Sequence, residues 1–287
     1  MTQKRAMPTI WRRRVGAQLR RWREPVKSGD AARMVGWDAT RLSRVERGLY
    51  RVSGDEVHEL CAKLRVEDPA GVEEVARVAE EPTGLGWWAP YADRIAPNYL
   101  DFIELEARAE SIRIYHPAII PGPLQTAAYA REIISRASTA HTKSQAEMLV
   151  TVRIARQSVL SREGEPVKFH ALVPESALHA RFGTDSGLMK NQIRSLLDAS
   201  ERPDATVQLL PLTAHPAYGS DGPLTIMSFR HPWLAMASVD NQLGGIHTED
   251  PAQVNYLETE FSHIASIAYP VDESREILAK YLEGLHQ

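Results

Sequence analysis

A short segment near the amino terminus brings together polar residues that can bond to nucleic-acid bases. The four are Thr40, Ser43, Arg44 and Arg47. At 100° per residue they gather on one side of a helix. Arginine can donate two hydrogen bonds to guanine, and serine and threonine can bond to base edges or to phosphates. We therefore expect this helix face to enter the major groove of DNA.

Thr40, Ser43 and Arg44 are our candidates for base readout. Arg47, nearer the end of the helix, is expected to contact a phosphate. Ser28 is also expected to contact a phosphate, because it lies at the amino terminus of the preceding helix, where backbone amides can bind an anion. Arg41 lies on the flank of the face and can contact either a base or a phosphate.

The surrounding segment, SGDAARMVGWDATRLSRVERG, contains what a helix-turn-helix needs. Such a motif needs a small residue where its helices cross, a glycine in the tight turn, and apolar residues that fix the second helix. Ala32 and Gly36 meet the first two needs. Leu42 and Val45, opposite the polar face, meet the third.

Helical periodicity and capping residues predict about five helices in residues 1–80, and no strand. The first begins near Trp11, with an apolar stripe on one face and arginines on the remaining faces. Pro25 ends it, since proline cannot continue a helix interior. Ser28 and Asp30 offer capping chemistry for the second helix.

The later helices have similar boundary signals. The second helix stops at Gly36, and the third lies between Asp38, a good N-cap, and Gly48, a residue suited to follow a helix. The fourth begins after Ser53, and the segment PAGVEEVARVAEE adds the fifth.

Charge divides the chain into two parts of opposite sign. Residues 1–53 hold 14 Lys and Arg against 4 Asp and Glu, and the remaining residues hold 20 against 33. A compact basic part attracts polyanions by releasing their counterions, and an acidic part does not. The one cysteine, Cys61, lies in an apolar helical pattern and is expected to fill the core.

A change of composition marks a boundary after the fifth helix. The segment EEPTGLGWWAPY contains two prolines, two glycines and two adjacent tryptophans, and it lacks helical periodicity. We therefore predict a helix-turn-helix domain over residues 1–80, a linker over 81–95 and a second domain over 96–287.

The second domain mixes helical stretches with strand-like runs. Four such runs, VKFHALV, ATVQLLPL, PLTIMSF and WLAMASV, cluster between residues 166 and 240. Helices before and after them predict an α+β (mixed α/β) fold. Residues 98–115 are predicted as one helical stretch, and Gly244 and Gly245 as a turn.

The amino-terminal segment resembles the xenobiotic-response-element-type, lambda-repressor-like helix-turn-helix. The hallmark is the ending SRVERG of the recognition helix. The resemblance implies that Glu46 is structural and pairs with an arginine of the first helix, either Arg21 or Arg23. The chain departs from the family pattern at Pro25 and Lys27, where glycine and serine are usual, and it lacks the usual phosphate-contacting glutamine.

The carboxy-terminal part is similar to the WhiJ-like regulators of actinobacteria. The similarity spans about residues 87 to 280 and includes IIPGPLQT, VRIARQ, PESALHARFG, MKNQIRSLL and TVQLLPL. Pro123 and Pro174 depart from the usual pattern. The resemblance implies DNA binding by the amino terminus and pairing with a small protein encoded beside it, as antitoxins do.

An enzyme is not indicated. The sequence has no HExxH, no paired CxxC, no GxSxG and no phosphate-cradling glycine loop, and its ten histidines show no metal-ligand spacing. We expect no catalytic residue, no metal and no cofactor. Arg153, Arg156 and Gln157 lie together on one helix and can contact a ligand or a partner.

The sequence therefore predicts a cytoplasmic transcription regulator that binds operator DNA as a homodimer and does not enter a membrane. Its second domain is expected to sense a signal or bind a small partner protein. The alternative is an antitoxin-like protein that sequesters a small neighbour-encoded protein and binds DNA for autoregulation.

Overall fold

The computed structural model describes residues 9–82, 86–137, 142–162, 164–182, 186–214, 222–241 and 244–284. The chain divides into two compact units. The amino-terminal unit extends to Leu105 and also includes the distant segment Phe229–Leu234. The carboxy-terminal unit comprises Glu106–Ser228 and the chain from Ala235 onward. Residues 86–95, in the predicted linker, belong to the amino-terminal unit.

Five helices make up most of the amino-terminal unit, as predicted. They are α1 (Ile10–Arg23), α2 (Ser28–Met34), α3 (Ala39–Glu46), α4 (Gly54–Leu64) and α5 (Pro69–Glu80). A short 3-10 helix (Ala89–Arg94) and α6 (Pro97–Glu106) follow. The side chains that pack between the five helices include Leu19, Ala31, Ala32, Leu42, Val45, Val57, Leu60 and Val75, all buried. Cys61 is also buried, as expected, and burial together with the charge of Asp68 raises its pKa to about 12.

Local hydrogen bonds explain where these helices begin. The Asp38 carboxylate accepts from the Arg41 amide at 2.7 Å at the start of α3. Ser53 and Glu56 form a reciprocal capping box at the start of α4. The predicted capping of α2 by Ser28 and Asp30 is wrong, because the N-cap is Lys27 and no side chain caps it.

The carboxy-terminal unit contains one mixed six-stranded sheet. Its strands are β1 (Ser111–Tyr115), β2 (Lys168–Pro174), β3 (Ala205–Leu210), β4 (Leu224–Ser228), β5 (Met236–Asn241) and β6 (Gly244–Thr248). The order across the sheet is β3-β2-β1-β4-β5-β6. The first three strands are mutually parallel, and β1, β4, β5 and β6 pair antiparallel in turn.

Five further helices accompany this sheet. They are α7 (Ala127–Arg136), α8 (Lys143–Arg156), α9 (Ser186–Ser200), α10 (Pro251–Ile267) and α11 (Val271–Gly284). Helix α10 places Phe261 and Ile264 in a buried cluster with Leu172 of β2 and Ile226 of β4. The predicted fold class, an all-α helix-turn-helix followed by an α+β domain, is confirmed.

Two local predictions for this unit are wrong. Residues 98–115 do not form one helix, because α6 ends at Glu106 and β1 begins at Ser111 between two partner strands. Gly244 and Gly245 do not form a turn but open β6, where they pair with Asn241 and Asp240. In both cases pairing with a neighbouring strand overrides the local pattern.

Candidate nucleic-acid interface

Helix α3 has one buried side and one accessible side. Leu42 and Val45 are 0% and 1% exposed. Thr40 and Arg47 are exposed, and Ser43 and Arg44 are partly exposed. The proposed reading residues are therefore accessible while Leu42 and Val45 face the core, and contact of this face with DNA stays a prediction.

The turn between α2 and α3 sets the angle at which α3 leaves the core. Gly36 has a φ of +67°, a left-handed conformation that glycine adopts without a steric penalty. The Trp37 amide then donates to the Ala32 carbonyl at 2.9 Å and closes the turn. Ala32 itself is fully buried. Ala32 and Gly36 thus lie in the turn for which the sequence proposed them.

Helices α1 and α3 approach each other so closely that there is no room for a side chain at Gly16. A Cβ atom at Gly16 of α1 would lie 2.5 Å from the carbonyl oxygen of Glu46 and even closer to that of Val45. Sequence reasoning missed Gly16. The available signal was a glycine inside a helical pattern, which often marks a close backbone approach.

A nearly buried ion pair joins the end of α3 to α1. Arg23 donates to both carboxylate oxygens of Glu46, with an Nη2 to Oε2 distance of 3.3 Å. Arg23 also donates to the Val26 carbonyl, and Arg21 donates instead to Gln18. The hydrogen bond to Glu46 outweighs burial and raises the pKa of Arg23. The structure thus selects Arg23 over Arg21 as the partner of Glu46.

Replacing Glu46 by glutamine should lower the free energy of unfolding by about 1–3 kcal/mol, because the Arg23 charge would remain desolvated beside a neutral amide. Urea denaturation measures the change. Asp30→Asn is the matched control, since the Asp30–Arg33 pair is exposed and should contribute much less. Equal losses in the two variants would contradict a structural role for Glu46.

The arginines of α3 are oriented by aromatic neighbours. The Arg44 guanidinium donates to the Tyr50 hydroxyl and lies 5.0 Å from the centre of that ring. The Arg41 guanidinium lies 4.2 Å from the Trp37 ring centre and pairs with Glu56. Both contacts limit the conformations of the arginines before any ligand binds.

The remaining predicted contact residues lie at helix ends. Arg47 follows α3, and its Nε donates to the Ser43 carbonyl at 3.1 Å. Ser28 is the first residue of α2 and is half-buried. Sequence reasoning missed Tyr50, because no local pattern indicates that a residue after Gly48 contacts the Arg44 side chain.

Further positive charge lies beyond the end of α3. Burial and the neighbouring charge of Arg51 lower the pKa of Arg12. Gly48, at a φ of +70°, packs against the backbone of Arg12 and Arg13 and so brings α1 close to this region. Two guanidinium groups near each other favour a polyanionic ligand.

The segment 229–234 completes the core of the amino-terminal unit. Trp11 of α1 meets Phe229 and Trp233 edge to face, with ring centres 5.7 and 5.4 Å apart. Arg14 is only 2% exposed, and its guanidinium lies 4.1 Å from the Phe229 ring centre and donates to the Leu234 carbonyl. The expectation that arginines occupy only the faces of α1 away from the core is therefore wrong for Arg14, and Arg23 is buried as well.

Polar contacts attach the same segment to α5. Trp233 donates from Nε1 to the Glu74 carboxylate at 3.2 Å, and His231 Nε2 lies 2.8 Å from the Asp68 carboxylate. Burial opposes ionisation of Asp68, but hydrogen bonds from His231 and the Gly71 amide lower its pKa. The 229–234 segment therefore contacts both ends of the five-helix sequence.

The second predicted site lies in the carboxy-terminal unit. Arg156 is buried and makes a bidentate pair with Glu106, at 2.7 and 2.8 Å. Arg153 donates to the Gln125 side chain at 3.0 Å, and Gln157 donates to the Gln125 carbonyl. The structure gives Arg156 an internal structural role and leaves Arg153 and Gln157 partly accessible.

Among the described residues, no three side chains of His, Cys, Asp and Glu lie close enough together to hold a metal ion. None of the helices in that same part of the chain has the length and apolar character needed to cross a membrane.

Models of two known protein families match different parts of the chain. Residues 14–75 match a helix-turn-helix domain model. Together with the geometry of α2 and α3, this match supports a DNA-binding regulator of the helix-turn-helix class. Residues 99–280, more than half of the chain, match a second model. The chain belongs to the family that this model describes, a domain of unknown function designated DUF5753. No curated protein and no solved structure matches the chain.

Proposed function

We propose that this protein is a sequence-specific transcription regulator of the xenobiotic-response-element type that reads its operator with α3. The observation that carries the proposal is the accessible side of α3, where Thr40, Ser43, Arg44 and Arg47 lie opposite the buried Leu42 and Val45. Ser28 and Arg41 flank this side, and we assign them to phosphate or base contacts. The proposal assigns no catalytic activity to the chain.

We further propose that the regulator acts as a homodimer. One helix contacts too few base pairs for useful selectivity, and a two-fold pair would read two half-sites about 34 Å apart. The carboxy-terminal unit, which resembles that of the WhiJ-like regulators, would then receive a signal or a small partner protein.

Replacing Arg44 by alanine should reduce the preference for the operator by about 1–3 kcal/mol, because one bidentate contact to guanine would be lost. The operator is first selected from random duplexes with the wild-type protein. Gel shifts then compare that duplex with a scrambled one at fixed salt concentration.

Arg77→Ala is the control for this experiment, because Arg77 is an exposed arginine of α5 that pairs with Glu74 and Glu81. The control should retain wild-type selectivity. If the Arg44 variant also retains it while binding DNA, our assignment of the reading face is incorrect.

A second candidate function is sequestration of a small partner protein, with DNA binding for autoregulation. It is favoured by Ile246, a large apolar residue that is 62% exposed on β6, the terminal strand of the sheet. Co-purification with the product of the neighbouring gene, followed by gel shifts of the complex, separates the two functions. Release of DNA by the complex favours sequestration, and unchanged DNA binding without complex formation contradicts it.

A further inference from the structure

The chain turns back on itself immediately after α3. Gly48 has a φ of +70°, and its amide donates to the Val45 carbonyl at 2.8 Å. The next two amides, those of Leu49 and Tyr50, donate to the carbonyl of Arg44 at 2.8 and 3.2 Å. Turns of this kind end many helices at a glycine. Backbone hydrogen bonds therefore hold Tyr50 beside the arginine that we assign to base readout.

The side chains of these two residues are also in contact. The Arg44 guanidinium donates from Nη1 to the Tyr50 hydroxyl, and its central carbon lies 5.0 Å from the centre of the phenol ring. A cation at this distance from an aromatic ring is attracted to it. Tyr50 is 45% exposed and Arg44 is partly exposed. The ring therefore supports the guanidinium and leaves it accessible.

Tyr50 is the sole side-chain partner of Arg44 in the part of the chain that the structure describes. On the same helix, Arg41 pairs instead with the Glu56 carboxylate. A tyrosine hydroxyl is a neutral acceptor, so it holds the guanidinium without compensating its positive charge. The contact uses Nη1 and leaves Nε and Nη2 for a ligand. Guanine presents two acceptors, O6 and N7, that match two such donors.

Holding Arg44 in place before DNA binds has two physical consequences. An arginine side chain has many rotamers, and ordering it at an interface costs free energy. A contact with Tyr50 in the free protein removes part of that cost from the binding step. The same contact restricts the directions in which Arg44 can donate, so a base in another position gains less from it.

We infer that Tyr50 is a positioning residue, which holds Arg44 for readout of a guanine and thereby increases the selectivity for the operator. The inference rests on the proposed function, since it requires α3 to lie in the major groove. Tyr50 acts through Arg44 and contacts no base itself. Its contribution should therefore disappear when the guanidinium is removed.

The first test is a double-mutant cycle of Tyr50→Phe and Arg44→Ala in the full-length protein. Gel shifts compare the operator selected by the wild-type protein with a scrambled duplex at fixed salt concentration. Tyr50→Phe retains the ring and removes the hydroxyl, so the operator preference should fall about two- to tenfold, the usual effect of one hydrogen bond. In the Arg44→Ala background the same change should have an effect of less than about twofold, because no guanidinium remains to be positioned.

The second test asks whether the effect of Tyr50 is specific to one guanine. Each guanine of the operator is replaced in turn by 7-deazaguanine, which lacks the N7 acceptor. The wild-type protein should lose affinity at the guanine read by Arg44, and the Arg44→Ala variant should not. Tyr50→Phe should lose less than the wild type at that same guanine. A purely structural role of Tyr50 would not depend on one base.

Tyr256→Phe is the matched control, because Tyr256 is a 60% exposed tyrosine of α10 in the carboxy-terminal unit. It should retain wild-type selectivity in both tests. The melting temperature of Tyr50→Phe should equal that of the wild type, since the lost hydroxyl belongs to an exposed residue.

Three outcomes would overturn the inference. These are unchanged selectivity of Tyr50→Phe, an equal loss in the presence and absence of the Arg44 side chain, or an equal loss of affinity for the operator and the scrambled duplex. The second would make Tyr50 an independent base contact, and the third would make it a phosphate contact.

The single variants separate this inference from the proposed function. If Arg44→Ala binds DNA with wild-type selectivity, the assigned reading face is incorrect and the role of Tyr50 fails with it. If Arg44→Ala loses selectivity while Tyr50→Phe retains it, the reading face stands and only the positioning role is incorrect.

Discussion

Trp233→Ala is expected to lower the free energy of unfolding of the amino-terminal unit by about 3–5 kcal/mol, the usual cost of removing a buried tryptophan. The substitution removes the ring that meets Trp11 edge to face and the hydrogen bond to Glu74. It also leaves Arg14 with fewer ring contacts in a buried position. Urea denaturation followed by circular dichroism measures the loss.

Leu49→Ala is the control for this prediction, because Leu49 lies in the same unit and is about half exposed. It should change the free energy of unfolding by about 0.5 kcal/mol or less. If the Trp233 variant is as stable as this control, segment 229–234 does not contribute to the core of the amino-terminal unit. A large loss would show that residues 1–80 alone lack part of their own core.

Arg156→Met is expected to cost the carboxy-terminal unit about 3–5 kcal/mol, because Glu106 would remain buried without its counter-charge. The two side chains are only 7% and 2% exposed, so water cannot replace the lost partner. Replacing both residues, as Glu106→Leu with Arg156→Met, should recover most of the loss. Urea denaturation of the single and double variants measures both effects.

The control for the buried pair is Arg131→Met, which breaks an ion pair that water reaches on both sides. We expect a much smaller change there. If the double variant is no more stable than Arg156→Met alone, the loss comes from packing of the arginine stem and not from an unpaired charge.

Features that depend on a few neighbouring residues were predictable from the amino-acid sequence. Asp38 and Ser53 cap the helices they were expected to cap, and Gly36 and Gly48 adopt the positive φ that a helix end requires. Even the side of α3 that carries Arg44 followed from spacing alone. Each of these features has a local physical cause in helix geometry or hydrogen bonding.

Features that depend on distant contacts were not predictable in this way. The spacing of residues does not show whether Arg21 or Arg23 pairs with Glu46, since both lie near the end of α1. Only the position of α3 determines the partner. The sequence pattern puts Arg14 on a face away from the core, because no nearby residue indicates its contact with the rings of Phe229 and Trp233. Strand β1 was missed for the same reason, since its partners β2 and β4 come from later parts of the chain.

The amino-acid sequence by itself determined the five helices of the amino-terminal unit, the accessible face of α3 and the α+β character of the remainder. Periodicity and capping depend on residues within one or two helical turns of each other, so a short stretch of consecutive residues is enough to predict them. Only the tertiary structure decided which arginines are buried, which residue holds Glu46, and that segment 229–234 completes the core around α1. Those outcomes depend on burial and ion pairing between residues up to 220 positions apart, which no local pattern encodes.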